Sequence, residues 1–248
     1  MPRGCSRPPG LSAMTRAPSG SSWRSELAGM EIIGVDPRSP EAPRRALHTL
    51  RAGGLVAFPT DTFYALGAAA LDEAAVARVF AAKRRPPGEP VPVLVADRDQ
   101  WRTLVAELPP AAVRLADRFW PGPLTIVCRR AAGVPRLLGG GGETIGVRQP
   151  GLPIAMALCR ALGLPIVGTS ANTHGLPAPV TAAHVALDVG PDVDLILDGG
   201  RCPLGRPSTV IDVTRTPPVI VRAGAVSLEA VQDALGQTLV QAAAALRY

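Results

Sequence analysis

The sequence is short of rings, of histidine and of paired cysteines. Its 248 residues hold four Phe, two Tyr and three Trp, only 4% aromatic, while 47% of the chain is apolar. A core has to be built chiefly from Val, Leu, Ile and Ala, which suits a buried sheet flanked by helices. The four cysteines, Cys5, Cys128, Cys159 and Cys202, include no C-x-x-C pair, which excludes a zinc knuckle and a disulfide framework and points to a reduced, cytoplasmic setting. His48, His174 and His184 are isolated and lack metal-ligand spacing. No apolar run approaches the roughly 20 residues of a membrane helix, so no membrane partner is expected.

Acidic residues are almost missing from residues 1–29, where Arg3, Arg7, Arg16 and Arg24 face only Glu26; three of the six net positive charges lie there. The segment reads as a disordered tail, either a targeting segment or translated upstream sequence, with Met14 and Met30 as alternative starts. The rest, residues 30–248, is expected to be one domain, and its mild basicity falls short of a dedicated nucleic-acid binder.

From Met30 onward, short β-branched runs alternate with amphipathic stretches punctuated by Gly and Pro. This predicts an α/β fold: a single-domain, twisted, open, mixed sheet flanked by helices. Helices are expected over 41–52, with Ser39 as cap, from Asp72 to the cations Lys83, Arg84 and Arg85, over 99–107, 110–119, 152–162 and 181–189, and after Ser227. Strands are expected at 55–59, 91–95, 124–128, 144–147, 165–169, 195–198, 209–213 and 219–222. Pro217-Pro218 marks a hairpin turn between the last two.

Polar clusters sit where these apolar strands end, the place where α/β folds hold ligands. Thr60, Asp61 and Thr62 follow the strand at 55–59. Lys83, Arg84 and Arg85 precede Pro86 and Pro87, a stiff basic segment suited to a polyphosphate or to solvent. Strand alternation puts Thr144, Gly146 and Arg148 on one face, where Arg148 needs an anion: a substrate carboxylate or a structural acid. Gly168 and Ser170, then Asn172, end the strand at 165–169; Ser208 and Thr209 open the strand at 209–213; Arg222 closes the last. The glycines 139–142 lack the Gly-Lys-Ser/Thr of a phosphate loop and are expected to be a mobile connection.

In order, PTDTFYALG, KRRP, WPGPLT, TIGVRQP, TSAN, STVID and RAG cover residues 40–226, and the chain thereby resembles the YrdC-like threonylcarbamoyl-AMP synthases. The resemblance implies a YrdC-like fold with a deep basic cavity, without the extra C-terminal domain of longer members. It implies an enzyme that makes threonylcarbamoyl-AMP and pyrophosphate from L-threonine, bicarbonate and ATP, with Mg2+ as cofactor, for tRNA modification. Thr62, Arg148, Gly168 and Ser208 would contact threonine. Arg85, Thr144, Ser170 and Arg222 would contact ATP, with Lys83 adding charge at the phosphates. Thr60, Asp61, Asn172 and Thr209 would support them. Implied partners are tRNA or other RNA and the downstream tRNA threonylcarbamoyl-transferase proteins. Glu89, Leu94 and Ala178 depart from the frequent Asn, His and Ser. Two other readings share the fold, a non-catalytic RNA-binding module and a carbamoyl-transfer enzyme with another acceptor. A Ser–His hydrolase is disfavoured by the missing G-x-S-x-G elbow.

Overall fold

The computed structural model describes residues 31–36 and 38–241; the tail at 1–29 lies outside the described residues. Seven α-helices, two short 3-10 helices and twelve strands follow one another among them, beginning with β1 (Glu31–Gly34) and α1 (Glu41–Arg51). Next come β2 (Val56–Pro59), β3 (Tyr64–Gly67), α2 (Glu73–Lys83), β4 (Val93–Leu94), α3 (Arg98–Leu104) and α4 (Pro110–Phe119). The middle of the chain forms β5 (Leu124–Arg129), β6 (Thr144–Arg148), α5 (Pro153–Leu162), β7 (Ile166–Val167), β8 (Thr169–Ser170) and α6 (Ala182–Asp188). It closes with β9 (Leu195–Asp198), β10 (Thr209–Asp212), β11 (Val219–Arg222), α7 (Leu228–Leu235) and β12 (Val240–Gln241). No helix among the described residues is long and apolar enough to cross a membrane.

Helix starts follow the side-chain chemistry. Asp72 Oδ1 accepts from the Ala74 and Ala75 amides at 3.0 and 3.1 Å, and Ser227 Oγ accepts from Ala230 at 3.2 Å. The first helix differs from expectation: Pro40 occupies its cap, and Ser39 accepts from the Glu41 amide at 3.3 Å one position earlier.

The strands form two mixed sheets rather than one. Five run in the order β1-β9-β2-β3-β8 and seven in the order β12-β11-β10-β5-β6-β4-β7. Gly168 explains the division. The run expected as one strand at 165–169 breaks there, so β7 pairs with β4 in the larger sheet while β8 pairs with β3 in the smaller. A Cβ at Gly168 would stand 2.3 Å from Leu94 Cγ, closer than carbon atoms approach, so only glycine lets the chain cross at this point. The β10–β11 pair is antiparallel, as the prolines suggest.

The core is aliphatic, as composition requires, with Trp101 as its largest fully buried side chain, 4.6 Å from the Trp120 ring. Residues 139–142 belong to a tight turn instead of a loose connection. A Cβ on Gly139 would meet the Thr144 carbonyl at 2.2 Å, and one on Gly140, whose φ is +62°, the Gly88 carbonyl at 2.7 Å. The turn therefore packs backbone to backbone against the segment following α2.

Candidate active site

A cleft opens where the two sheets meet, and strand ends from both supply its walls. From the smaller sheet comes the β2–β3 turn. Thr60 Oγ1 donates to the Phe63 carbonyl at 2.6 Å, closing the turn and leaving Thr62 3.0 Å away, hydroxyl to hydroxyl.

Arg148, at the end of β6 in the larger sheet, reaches this turn. Its Nε donates to the Gly122 carbonyl at 2.9 Å, one terminal nitrogen donates to Thr62 Oγ1 at 2.9 Å, and the other pairs with Asp61. The same Asp61 oxygen accepts from the Gly151 amide at 2.8 Å. Burial pulls the Arg148 pKa below the usual arginine range and Asp61 pulls it back. Both expected partners of Arg148 thus have an answer: it has its structural acid, and it still lines the cleft.

The opposite wall is built by β5, β10 and β11. Parallel pairing of β10 with β5 brings Ser208, just ahead of β10, against Thr125, with the two hydroxyls 2.9 Å apart. Arg222 then folds over Ser208, donating to its hydroxyl at 2.9 Å and its carbonyl at 3.0 Å. Burial, then Arg148 and Arg85, lower the Arg222 pKa to about 10. Arg222 therefore shares one recess with two other guanidiniums whose charges act on its own, an arrangement that favours an anion.

Arg85 enters from the end of α2, and the helix stop decides its direction. Arg84 adopts the left-handed conformation, φ 51°, an uncommon choice for a side chain of that kind. The flanking cations diverge as a result. Arg85 lines the cleft. Lys83 turns inward, where its ammonium donates to the Ser170 carbonyl, to the Asn172 carbonyl at 2.6 Å and to Asn172 Oδ1 at 3.4 Å. Burial, then Arg85, lower its pKa to about 7. Lys83 thus stands behind the cleft wall, and its contacts fix residues 170–172.

Thr60, Thr62, Gly168, Ser170 and Ser208 meet the three arginines in this cleft. Thr144 does not join them. It shares a strand face with Arg148 but pairs with Arg129 at the far end of β6, about 13 Å away at the usual rise per residue. Thr209 and Asn172 support from behind: Thr209 Oγ1 donates to the Val226 carbonyl at 2.6 Å, and Asn172 Nδ2 donates to the Leu176 carbonyl at 2.7 Å. Asp61 acts through Arg148.

Sequence reasoning overlooked Thr125 and Tyr64 as cleft residues. Thr125 alternates with the buried Leu124 and Ile126 at the start of β5, a signal that was available in the pattern. Tyr64 is tied at 2.7 Å to the Gly200 carbonyl, a contact across 136 positions that no local pattern announces.

Fold and cleft together define a class: an α/β domain whose strand ends gather arginines and hydroxyls in one recess. The sequence profile of the Sua5_yciO_yrdC family, described as telomere recombination, matches residues 48–224, and the chain belongs to that family. Its similarity to the threonylcarbamoyl-AMP synthase of Pyrococcus abyssi is 45% identity over 207 residues, covering 83% of this chain and 61% of that protein. The threonylcarbamoyl-AMP synthase of Bacillus subtilis is 41% identical over 208 residues, covering 83% and 59%. The crystal structure of P. abyssi Sua5 complexed with L-threonine superposes with a TM-score of 0.82 at 44% identity, covering 84% of this chain and 62% of that one. The chain thus spans about three fifths of the length of these curated relatives.

Proposed function

We propose that this domain joins L-threonine, bicarbonate and ATP into threonylcarbamoyl-AMP, releasing pyrophosphate and water. The observation that carries the reading is the gathering of Arg85, Arg148 and Arg222 with the hydroxyls of Thr62, Ser170 and Ser208 in one recessed cleft. Two anions of different shape, an amino-acid carboxylate and a triphosphate, would relieve the repulsion that cleft stores. The names of the curated relatives and the threonine complex of P. abyssi Sua5 support the choice of substrates.

In this reading Arg148, already fixed by Asp61 and Gly122, presents its fork to the threonine carboxylate, with Thr62, Gly168 and Ser208 around it. Arg85, Ser170 and Arg222 hold the triphosphate. The threonine amine adds to CO2 from bicarbonate, a carbamate oxygen attacks the α-phosphorus, and the bond to pyrophosphate breaks. No protein nucleophile takes part; the chain supplies alignment and positive charge for the added phosphorane charge. Thr144 lies at the other end of β6, opposite Arg129, and is not among the residues lining the cleft.

Mg2+ would enter with the triphosphate and neutralise its oxygens. Among the described residues no three His, Cys, Asp or Glu converge, so phosphate oxygens and water would complete its coordination. Asp61 Oδ1 is engaged by Arg148 and the Gly151 amide, while its buried Oδ2 has no hydrogen-bond partner; Asp198 accepts from the Gly200 amide. The product, a labile mixed anhydride, would pass to proteins that transfer the threonylcarbamoyl group to tRNA. An RNA-binding module is the weaker reading, because Arg148 is only 5% exposed and a polynucleotide backbone needs projecting cations.

The test is incubation with ATP, bicarbonate and each amino acid, following pyrophosphate release and the mass of the adenylate. Release dependent on threonine supports the proposal. Release indifferent to the amino acid, or none at all, overturns it.

A further inference from the structure

On the side where Arg85 enters the cleft, two loops contribute a chain of contacts that the reaction scheme above leaves unused. Glu89, 7% exposed, lies in the loop after α2. His174 lies in the loop after β8, anchored by its amide to the Lys83 carbonyl at 2.7 Å. Arg85 is held from the backbone by the Glu89 carbonyl at 3.2 Å and the Pro90 carbonyl at 2.8 Å. Two side chains complete its surroundings. Glu89 Oε2 lies 3.6 Å from one terminal nitrogen of Arg85, and His174 Nδ1 lies 3.4 Å from the other. The ring closes on itself, since His174 Nε2 is 3.3 Å from the same Glu89 oxygen.

The proton positions follow from the partners. With a single imidazole proton on Nε2, the nitrogen that faces a carboxylate oxygen, Nδ1 is an acceptor for the Arg85 N–H. In this state carboxylate and imidazole both detain Arg85, and the carboxylate charge opposes an incoming triphosphate. A proton on Nδ1 changes both effects. Nδ1 becomes a donor, two N–H groups face each other, and Arg85 must turn that nitrogen elsewhere. The imidazolium at the same time pairs with Glu89 and cancels its charge.

We propose that Glu89 and His174 are positioning residues that couple triphosphate binding at Arg85 to uptake of one proton by the imidazole. The inference rests on the assignment of Arg85 to the triphosphate. Other charged groups lie around the ring. Arg84 is exposed on the same turn, and Arg222 acts on Arg85 from β11. Asp188, from α6, is occupied by the Thr173 amide at 3.0 Å and hydroxyl at 2.6 Å. Lys83 is directed at the Ser170 and Asn172 carbonyls, but it also titrates in the neutral range, so it has to be separated by variants.

The experiment is calorimetric titration with MgATP and with inorganic tripolyphosphate, at pH 6.5 and 8.5, in buffers of different ionisation enthalpy. Wild type, Glu89→Gln and His174→Gln are compared, with melting curves confirming that each is folded. A terminal phosphate itself titrates near about pH 6, so the readout is the difference between wild type and variants with the same ligand. Wild type should take up a proton and bind about tenfold more tightly at the lower pH than His174→Gln does, the equivalent of one charge-assisted contact. His174→Gln should show the weak, alkaline-type affinity throughout. Glu89→Gln should move the other way and bind more tightly than wild type at pH 8.5. Wild-type binding without proton uptake beyond the ligand's own overturns the coupling, as does a His174→Gln variant with the wild-type pH dependence, which would assign the proton to Lys83. Absence of binding at either pH would instead count against the triphosphate assignment itself.

Discussion

Replacing Gly168 by alanine tests whether the crossing between the two sheets depends on a missing side chain. The new methyl would stand 2.3 Å from Leu94 Cγ and 2.7 Å from each Leu94 Cδ, whereas carbon atoms in contact prefer about 3.5–4.0 Å. Neither side can yield easily. Leu94 is 1% exposed on a strand paired on both sides, and the Gly168 amide donates to the Pro92 carbonyl at 2.9 Å, so retreat of the backbone would break that bond. Overpacking of this kind costs about 1–3 kcal/mol, and the fixed surroundings place the expected loss in the upper half of that range. Leu94→Ala removes all three colliding atoms while costing about 2–5 kcal/mol by itself. In that background Gly168→Ala should cost almost nothing. The assay is denaturant unfolding of the four proteins as a double-mutant cycle. Additivity within about 0.5 kcal/mol would show that Leu94 does not enforce the glycine, and the account of the crossing would fail.

Arg148→Ala should raise the KM for threonine and Arg222→Ala the KM for ATP, each by about 10- to 100-fold, the worth of a charge-assisted hydrogen bond; steady-state kinetics showing equal losses for both substrates in both variants would contradict the assignment. Asp61→Asn should destabilise the fold by about 3 kcal/mol and raise the threonine KM more than it lowers kcat, because it loosens a buried pair; an unfolding midpoint equal to that of wild type would remove Asp61 from its supporting place. Because burial lowers the Lys83 pKa from 10.5 to about 7, the unfolded chain binds more protons than the folded one between those values, so this group makes stability rise with pH across that window. Urea midpoints at pH 7 and 9 should therefore climb more in wild type than in Lys83→Met, and equal slopes would show that Lys83 is not desolvated.

Strand ends were legible in the sequence because apolar runs stop abruptly at polar residues. That is how Thr62, Ser170, Ser208 and Arg222 could be selected. Their convergence was not legible, since it depends on the crossing at Gly168 and on the β10–β5 pairing across more than 80 positions. Thr144 shows the limit of alternation: sharing a face with Arg148 says nothing about sharing an end. Lys83 shows the limit of local charge, because the left-handed turn at Arg84 sends neighbouring cations in different directions, and an arginine gives no notice of such a backbone. The strand β3 was hidden inside a motif read for its hydroxyls, and its four buried residues carry no alternating pattern.

Since the cleft draws on chain positions from Thr60 to Arg222 and on both sheets, no contiguous fragment contains a working half of it. Occupancy and global folding become a single equilibrium, and a ligand at about 100 times its Kd should add about 2.7 kcal/mol to the unfolding free energy of the whole domain. A shift in melting temperature would then serve as a binding assay even for compounds that are never turned over.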